Sequence, residues 1–582
     1  MSPIACSQAD AQAIPSNCAT SRWALTLFLI SVFILFYHLG APALFEPDEG
    51  RNAEKAREIL LTQDWVTPHE DFMAVLDKPI FFYWLIAFSY RLFGISEWTA
   101  RLPSALAARG TILLIYLWVR NTFGVWEALW SGLILAMSTE FFFLARTVIF
   151  DMSLTFFITL GLCCFSWGLQ AEDKTLRRLF FLTMYAALGA ATLVKGLVGF
   201  VLPAMIIGTF LLFIRNGSVF KKMDLLLGSI LFLLIVLPWY VWVEIRNPGY
   251  LRYFFWEEHF ARFLTPHFQR SGPWYYFLVV LAVGWFPWTF LLPQIVVSQW
   301  KRRRDERSLF LVLWTLLLLV FFSFSHSKLP HYILPLYPPL AVLTGVTFVK
   351  VLSDDSSKPV WTIFLPFYAQ ALLVLCFVVG AVQPSLLPRE IGKHLAGVAP
   401  LLYTVGAVIL VALSVLVVGQ RAGYLRRPGY LYIFYCIGLV PLFVLLVNVM
   451  TAVSVTRSAK ALAERSSDWI RPGDQLVLYD NSLEGLAFYL GVKQPIWIVW
   501  SGRKSEVIGS FYVAEHPPAP MERFGKVLFT FDEFAKEREK SNHPLFVFIK
   551  EQKLPSLTKR YGTLPNTLLK VDDFVLAKIG DV

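Results

Sequence analysis

The sequence predicts a polytopic α-helical membrane protein with a small α/β domain at its C-terminal end. Hydrophobic residues make up 56% of the 582 residues and charged residues only 16%, whereas soluble proteins carry about 25% charged residues. The apolar residues form long runs of the length that crosses a bilayer. In the last 130 residues, by contrast, 34 are charged, which is typical of a soluble domain. The composition therefore excludes a soluble enzyme, a disordered protein and a fibrous protein.

Thirteen apolar runs are long enough to be membrane-spanning helices, which need about 20 residues each. A further run, 79–94, is shorter and contains Arg91, which predicts an interfacial or re-entrant helix that does not cross. The predicted spans are 23–45, 98–120, 124–145, 148–170, 178–194, 196–214, 224–243, 273–296, 308–325, 331–351, 359–382, 399–419 and 429–451.

The basic loops predict how these spans are oriented, because short loops rich in Lys and Arg lie on the cytoplasmic side. With a cytoplasmic N-terminus, four basic clusters share that side only if 79–94 does not cross. This arrangement predicts a cytoplasmic tail (1–22), a transmembrane domain (23–452) with a first outer loop (46–97), and an outer α/β domain (453–582). The net charge of +11 then fits loops that face anionic lipid heads, and no basic groove for nucleic acid is visible. The four clusters are Lys174–Arg178, Lys221–Lys222, Lys301–Arg304 and Arg421 with Arg426–Arg427.

The C-terminal 130 residues contain short apolar runs separated by turn residues, a pattern typical of strands. One segment between the first two strands, 482–490, has helical spacing. The predicted strands are 475–479, 495–500, 526–530 and 545–549.

The first outer loop is unusually acidic, since residues 46–78 hold nine of the 41 acidic residues. Pro47 followed by carboxylates predicts the start of a helix. On that helix Asp48, Arg51 and Lys55 are spaced to share one face. The pattern predicts a carboxylate and a guanidinium together at the membrane surface, and the simpler alternative is a solvated amphipathic helix.

Three other charges lie close to the predicted outer membrane surface. Lys78 precedes an aromatic run at headgroup depth, where it could hold a lipid phosphate as a point charge. Asp151 lies about one turn inside a span, where an ionisable side chain usually faces a partner or a cavity. Arg146 is a candidate partner for it, and Lys195 is a second charge at an outer end. The alternatives are a snorkelling lysine and helix ends misplaced by a few residues.

Two further outer segments combine His with charged and aromatic residues. On an α-helix His259 and Arg262 share a face, and Arg beside aromatic rings suits a sugar face or a phosphate. The link before the tenth span carries Lys328 and His331. These side chains are of types that could also bind a divalent metal, although no tight ligand spacing indicates a metal site. The P-loop, GxGxxG and GxSxG patterns are absent, which argues against ATP or dinucleotide chemistry and against a hydrolase elbow.

Several motifs occur together in residues 20–350: Glu46–Arg51 (Glu-Pro-Asp-Glu-Gly-Arg), Leu76–Trp84 (Leu-Asp-Lys-Pro-Ile-Phe-Phe-Tyr-Trp), Ala100–Ser104, Arg146–Asp151, Glu258–Phe263 and Ser327–Tyr337. The combination resembles the bacterial aminoarabinose transferases that modify lipid A. Those enzymes share the GT-C membrane fold with the protein O-mannosyltransferases. The resemblance therefore implies a GT-C fold, a polyprenyl-phosphate-linked sugar as donor, and transfer with inversion.

The resemblance also implies roles for individual residues of this chain. The implied catalytic carboxylates are Asp48 and Asp151. The implied donor-phosphate ligands are Arg51, Lys78, Arg262 and Tyr337. Beside these, the further candidates for supporting the site, or for binding acceptor or metal, are Glu49, Asp77, His259, Lys328 and His331.

The function implied in this way is transfer of 4-amino-4-deoxy-L-arabinose from undecaprenyl phosphate to lipid A. The reaction would take place at the periplasmic face of the bacterial inner membrane and would modify lipopolysaccharide, as in polymyxin resistance. Asp48 would act as a general base towards a hydroxyl acceptor, or as an orienting group towards a phosphate acceptor. Two alternatives stay open: a related transferase that acts on protein or another glycan, and a secondary transporter. Transporters usually place charges near the midplane in paired repeats, a pattern that this sequence does not show.

Overall fold

The computed structural model describes residues 17–265, 271–353, 361–383, 399–409, 411–412, 414–415, 418, 428–500, 524–541, 544–561 and 566–580. The α-helices of the membrane part and outer loops are Asn17–Phe36, Asp48–Thr62, Phe81–Phe93, Glu97–Thr122, Val125–Ala136, Thr139–Ala145, Phe150–Gln170, Lys174–Lys195, Val198–Ile214, Ser218–Lys222, Leu225–Arg246, Tyr250–Arg252, Arg262–Leu264, Tyr276–Gly284, Leu292–Lys301, Glu306–Phe324, Tyr337–Ser353, Trp361–Val382 and Pro428–Ser454. A π-helix spans Tyr253–Ala261, and 3₁₀ turns span Trp288–Leu291, Pro330–Leu336, Val455–Arg457 and Glu551–Lys553.

The described residues include seven helices that are long and apolar enough to cross a membrane, and nine spans if each of two bent helix pairs counts as one. The protein is therefore a multi-pass membrane protein, while the predicted total of 13 spans and their orientation stay predictions. The predicted span 399–419 lies partly, and the basic cluster at 421–427 wholly, outside the described residues. The predicted helix at 79–94 is present as Phe81–Phe93.

Two segments that the sequence predicts as straight spans are broken. The predicted span 124–145 forms two helices that meet at an angle of 66°. The predicted span 273–296 likewise forms two helices, which meet at an angle of 111°. The two breaks contact each other, because the amide and hydroxyl of Thr139 both donate to the carbonyl of Phe286, at 3.1 and 2.8 Å. Pro287 follows Phe286 and has no N–H to continue a helix. Apolar composition alone does not report such a break, which explains the difference.

The helix at Asp48–Thr62 begins directly after Pro47, with Asp48 and Glu49 in its first turn as predicted. Such acidic side chains stabilise a helix start, because the partial charge of the free N–H groups is positive. The helix is not a solvated surface helix, however, since its residues from Glu49 to Ile59 are buried. The simpler alternative for this loop is therefore excluded, and the charged side chains of this helix must be paired inside the protein.

The C-terminal residues form a six-stranded mixed sheet with strand order β5-β4-β3-β6-β8-β7. Strands β3 to β6 pair in parallel, whereas β8 is antiparallel to both β6 and β7. A separate hairpin, β1 with β2, lies in the first outer loop. The strands are β1 His69–Glu70, β2 Met73–Ala74, β3 Gln475–Tyr479, β4 Trp497–Trp500, β5 Leu528–Thr530, β6 Leu545–Lys550, β7 Asn566–Val571 and β8 Phe574–Ile579. The helices of this part are Lys460–Ser466, Leu486–Leu490, Phe531–Lys540 and Leu554–Tyr561.

The C-terminal sheet region packs against the first outer loop. Met73 and Val75 of the loop share a small apolar cluster with Ile498 and Val527 of the sheet region. At a second point Gly50 and Gly485 lie so close that a Cβ on Gly50 would come within 2.6 Å of the Gly485 nitrogen. Two side chains could not fit there, so the glycines allow the two backbones to touch. The sheet region thereby rests on the start of the helix that carries Asp48.

Candidate active site at the outer ends of the membrane helices

Asp48 and Glu49 are neighbours in sequence but lie in opposite environments. The Asp48 side chain is 68% exposed. The Glu49 carboxylate is buried. It accepts hydrogen bonds from Nε and Nη2 of Arg101, at 2.9 and 2.8 Å, and from the amide of Val148, at 2.8 Å. Arg101 also donates to three carbonyls of the segment that follows the first helix. Glu49 therefore fixes the loop helix to the membrane part, and Asp48 is the exposed carboxylate of the two.

Arg51 lies one turn beyond Asp48 and makes its main contact with the C-terminal region. Its guanidinium donates to both carboxylate oxygens of Glu484, with Nη2 to Oε1 at 2.8 Å. The Asp48 carboxylate is 3.9 Å from Nη1 and the Glu70 carboxylate 3.8 Å from Nε. Arg51 thus joins the first loop to the C-terminal region and faces Asp48 at the same time.

The acidic cluster around Arg51 affects the charge of nearby carboxyls. Burial, reinforced by the negative charge of Glu484, raises the pKa of Glu46 to about 8. The Glu46 carboxylate accepts hydrogen bonds from the backbone amides of Glu484 and Gly485, at 3.0 and 2.9 Å. Burial and Glu484 together also raise the pKa of Glu70 to about 7. The contact between the loop and the C-terminal region therefore contains carboxyls that titrate near neutral pH.

Lys55 and Asp77 form a buried ion pair that supports the next part of the site. The Lys55 ammonium lies 3.1 Å from Asp77 and 3.3 Å from Glu70, and the lysine is fully buried. Burial alone would raise the pKa of Asp77, but the charges of Lys55 and Lys78 outweigh it and hold the pKa well below its usual range. Asp77 is therefore ionised, and its backbone carbonyl accepts the Lys78 ammonium at 2.7 Å.

Lys78 and Arg262 come together on one carboxylate, that of Glu258. Oε2 of Glu258 lies 2.9 Å from the Lys78 ammonium and 2.7 Å from Nη1 of Arg262. Arg262 also donates to the hydroxyl of Tyr332, at 2.9 Å. Burial opposes ionisation of Glu258, but Lys78 and Arg262 lower its pKa below the ordinary value. Two cations from sequence-distant loops thus lie side by side, as expected for a phosphate site.

Asp151 pairs with Lys195 inside the membrane part. The carboxylate is fully buried and accepts the Lys195 ammonium, while its other oxygen is 3.8 Å from Nε2 of His331. Lys195 also lies over the ring of Tyr332, 4.6 Å from its centroid. Arg146 is not the partner of Asp151, because its guanidinium donates to carbonyls of the first helix. The buried acid thereby belongs to the same cluster as Lys78 and Arg262.

Lys78, Lys195 and Arg262 line a cavity of about 440 Å³ whose other walls are mostly apolar. The polar lining comprises Lys78, Lys195, Glu258, His259, Arg262, Ser325, Ser327 and Tyr332. The apolar lining comprises Leu154, Leu197, Val198, Val201, Phe254, Phe260, Phe263, Leu264, Phe321 and Phe322. A ligand with an anionic head and a hydrocarbon tail matches this distribution, because each part meets the surface in which it is most stable.

His259 lines the cavity but does not share a face with Arg262 in the predicted manner. In the π-helix Tyr253–Ala261 it is Glu258 that pairs with Arg262. The imidazole instead turns to the backbone, with Nδ1 2.7 Å from the Phe254 carbonyl and Nε2 accepting the Leu197 amide at 3.1 Å. Burial lowers the pKa of His259, so the ring is neutral and positions the chain at Leu197.

Gly196 allows this contact between His259 and the end of a membrane helix. Its φ is +81°, in the left-handed region, and a Cβ there would lie 2.4 Å from Nε2 of His259. Any other residue would be strained and would also collide with the imidazole. The glycine therefore leaves the space that His259 occupies in the lining of the cavity.

Several predicted residues do not line this cavity, among them Arg51, which pairs with Glu484, and also Tyr337 and Lys328. The hydroxyl of Tyr337 donates to Glu140, and Tyr337 is not among the described residues that line the cavity. The tyrosine beside the cations is Tyr332, five residues earlier in the same Pro-rich segment. The Lys328 ammonium binds the carbonyl of Ser323 at 3.0 Å, so it closes the link between two membrane helices.

The sequence leaves a divalent metal open, and the described residues show no obvious site for one. Among the described residues there is no group of three or more His, Cys, Asp or Glu side chains placed to hold a metal ion. Both nitrogens of His259 are occupied by the backbone, and Asp77 is paired with Lys55. A metal requirement therefore stays as open as the sequence leaves it.

Sequence reasoning missed three residues of the site as placed here. Glu258 stands in a motif that was recognised, but its neighbour His259 has the more distinctive chemistry. Tyr332 adjoins His331 and gives no signal of its own against the 22 tyrosines of the chain. Glu484 lies 433 residues from Arg51, in a region without a recognisable motif, so no spacing argument could have paired them.

Several known proteins are similar to this chain. The family model for dolichyl-phosphate-mannose-protein mannosyltransferases matches residues 77–242. An undecaprenyl phosphate-α-4-amino-4-deoxy-L-arabinose arabinosyl transferase from Pseudomonas fluorescens is 34% identical over 352 residues, which is 58% of this chain and 62% of that protein. A transferase of the same name from Pseudomonas aeruginosa is 35% identical over 343 residues, again 58% of this chain and 62% of the relative. The aligned region thus spans less than two thirds of these relatives.

The solved structure of ArnT from Cupriavidus metallidurans bound to undecaprenyl phosphate extends the likeness to nearly the whole chain. It superposes with a TM-score of 0.79 at 26% identity and covers 96% of this chain and 98% of that one. Because the superposition covers 96% of this chain, the C-terminal region is part of the shared architecture. The chain has the GT-C glycosyltransferase fold and is a relative of the bacterial aminoarabinose transferases.

Proposed function

We propose that the protein is an inverting glycosyltransferase that takes 4-amino-4-deoxy-L-arabinose from undecaprenyl phosphate and transfers it to lipid A. The observation that carries this proposal is the cavity in which Lys78, Lys195 and Arg262 meet an apolar groove. A polyprenyl phosphate has its anionic head and its hydrocarbon tail in that same order. The relatives named for this transfer support the choice of sugar, and the ArnT structure supports the choice of lipid.

The reaction follows from the chemistry of the donor. An oxygen of the acceptor attacks the anomeric carbon from the face opposite the phosphate and forms the new glycosidic bond. The bond between that carbon and the phosphate oxygen breaks, and its electron pair stays on the phosphate. The leaving group therefore gains negative charge, which Lys78 and Arg262 stabilise from fixed positions. The Lys55–Asp77 pair positions Lys78, because the backbone carbonyl of Asp77 accepts the Lys78 ammonium.

Asp48 is the proposed carboxylate on the acceptor side. It is exposed, it opens a helix whose remainder is buried, and Arg51 faces it at 3.9 Å. A hydroxyl acceptor loses its proton to Asp48 during attack. A phosphate acceptor is already anionic, and Asp48 then orients the acceptor or the amine of the sugar. Asp151 is the second carboxylate, and through Lys195 it sets the charge at the inner end of the cavity.

We further propose that the site faces the periplasm of a bacterial inner membrane. The orientation follows from the basic loops, since Lys174–Arg178, Lys221–Lys222 and Lys301–Arg304 would lie in the cytoplasm. The acceptor, lipid A, would then enter beside the first outer loop, where Asp48 is exposed.

The test is a transfer assay with purified protein, undecaprenyl-phosphate aminoarabinose and lipid A, read by mass spectrometry. The expected product is lipid A carrying one added aminoarabinose, and the expected loss for Asp48→Asn is at least about 100-fold, the low end for acid–base catalysis. Transfer to a peptide or another glycan, but not to lipid A, would assign a different acceptor. Absence of transfer from this donor to any acceptor would refute the proposed function.

A further inference from the structure

Glu258 is an unexpected residue for the centre of a phosphate site. The exposed fraction of its side chain is only 4%. The carboxylate forms ion pairs with both cations, with Oε2 at 2.9 Å from Lys78 and 2.7 Å from Arg262. Its other oxygen accepts the hydroxyl of Tyr253 at 3.2 Å. An incoming phosphate needs the same cations and is repelled by the same carboxylate. Tight binding of an anion would be served better by an uncharged residue here.

The carboxylate of Glu258 lowers the total charge of the side chains around the cavity. Among the described residues, Lys78, Lys195 and Arg262 are the cations that line the cavity. Glu258 is paired with two of them and Asp151 with the third. His259 adds no charge, because its Nε2 accepts a backbone amide. The cluster therefore carries a formal charge of +1 instead of +3.

The two lipids that must occupy this cavity in turn differ in charge. The phosphate of the sugar donor is a phosphodiester, and that group carries a single negative charge. The lipid that leaves is a phosphomonoester, whose second ionisation has a pKa near 6, so it carries between about 1.5 and 2 negative charges at neutral pH. A cavity with a charge of +3 would hold the product far more tightly than the donor. A cavity with a charge of +1 matches the donor and gives the product little additional attraction.

We propose that Glu258 is a specificity-determining residue that makes the cavity select the singly charged phosphodiester over the doubly charged phosphomonoester. This inference rests on the proposed function, because it assigns the donor and the product to this cavity. Glu258 acts on neither the sugar nor the acceptor. It limits how strongly the spent lipid phosphate can compete with fresh donor.

The test compares two probes on the same protein: undecaprenyl phosphate, a monoester, and its methyl ester, a diester without a sugar. The measured quantity is the ratio of their Kd values, obtained for each variant at pH 8 so that the monoester is fully ionised. Partial loss of folded protein affects both probes equally and cancels in the ratio. Glu257→Gln is the matched control, because it removes the same charge one residue earlier, at a side chain that does not line the cavity.

Glu258→Gln is expected to shift the ratio towards the monoester by roughly 10- to 100-fold, the effect of one unit charge about 6–12 Å from the additional phosphate charge at an effective dielectric near 20. Glu257→Gln is expected to leave the ratio within about 3-fold, since its charge lies outside the cavity. The double variant Glu258→Gln with Lys78→Gln restores the formal charge and should return the ratio towards the parental value. Lys78→Gln alone should shift the ratio of Kd values towards the diester. This variant keeps the test decisive if Glu258→Gln does not fold.

Two failures are distinguishable. If neither probe binds the parental protein, the cavity is not a polyprenyl-phosphate site and the proposed function fails with it. If both probes bind but the ratio is the same in the parental protein, Glu258→Gln and Lys78→Gln, the function stands and the role of Glu258 is refuted. An equal shift in Glu257→Gln and Glu258→Gln would also refute it, because the effect would then be one of general surface charge.

Discussion

Glu49→Gln should destabilise the fold, whereas Asp48→Asn should leave it almost unchanged. The Glu49 carboxylate accepts two hydrogen bonds from Arg101, at 2.9 and 2.8 Å, and the amides of Phe45 and Val148, at 3.0 and 2.8 Å. Arg101 is completely buried, so a neutral glutamine in place of Glu49 would leave the charge of Arg101 unpaired. Removing one partner of such a pair costs about 3–5 kcal/mol.

Asp48 offers a matched control in the adjacent position. Its side chain is 68% exposed and lies 3.9 Å from Arg51. An exposed ion pair contributes only about 0–1 kcal/mol, and an acidic side chain in the first turn of a helix adds about 0.3–1 kcal/mol through the helix dipole. Asp48→Asn should therefore cost at most about 2 kcal/mol, less than Glu49→Gln, while it removes the proposed catalytic group.

The measurement is thermal unfolding of both variants in the same detergent, followed by intrinsic fluorescence or by loss of soluble protein. The apparent midpoint of Glu49→Gln should fall clearly below that of the parental protein, and that of Asp48→Asn should remain close to it. Equal midpoints for the two variants would refute the assignment of Glu49 to the structure and of Asp48 to the chemistry.

Three further predictions concern the cavity, the C-terminal region and the topology. Lys78→Ala and Arg262→Ala should each lower kcat/KM for the donor by about 10- to 100-fold, because a charged hydrogen bond contributes about 1.5–3 kcal/mol; parental kinetics in both would place the phosphate elsewhere. Glu484→Gln should weaken the bidentate contact with Arg51 and increase proteolytic cleavage between the membrane part and the C-terminal sheet, and unchanged protection would show that the contact is dispensable. A reporter that is active only in the cytoplasm should be inactive when fused after Val582, and a strong signal would overturn the predicted orientation.

The membrane architecture could be anticipated because hydrophobic burial is a property of each segment by itself. Apolar runs of sufficient length predict spans wherever they occur, and the helix at Phe81–Phe93 was recognisable by its shortness. The breaks at 137–138 and 285–287 were not, because each is stabilised by the other across 147 residues of sequence. The antiparallel strands β7 and β8 were also missed, since β7 is largely exposed and carries little apolar signal.

The site was predictable where one residue combines charge with an unusual position. Lys78, Asp151 and Arg262 stood out because a charge beside a span or an aromatic run is costly unless it has a function. Their partners were not predictable in the same way. Glu258 was hidden behind a neighbour, and Glu484 pairs with Arg51 only after the C-terminal region has folded onto the first loop. Helical spacing placed Lys55 beside Asp48, whereas its ammonium turns inwards to Asp77.

The central claim is that the cavity beside Lys78 and Arg262 holds the phosphate of a polyprenyl lipid. The most direct measurement is native mass spectrometry of the purified protein with undecaprenyl phosphate, for the parental chain and for Lys78→Ala with Arg262→Ala. The account predicts one bound lipid on the parental protein and loss of at least about nine tenths of that binding in the double variant. Equal lipid occupancy in both proteins would contradict it.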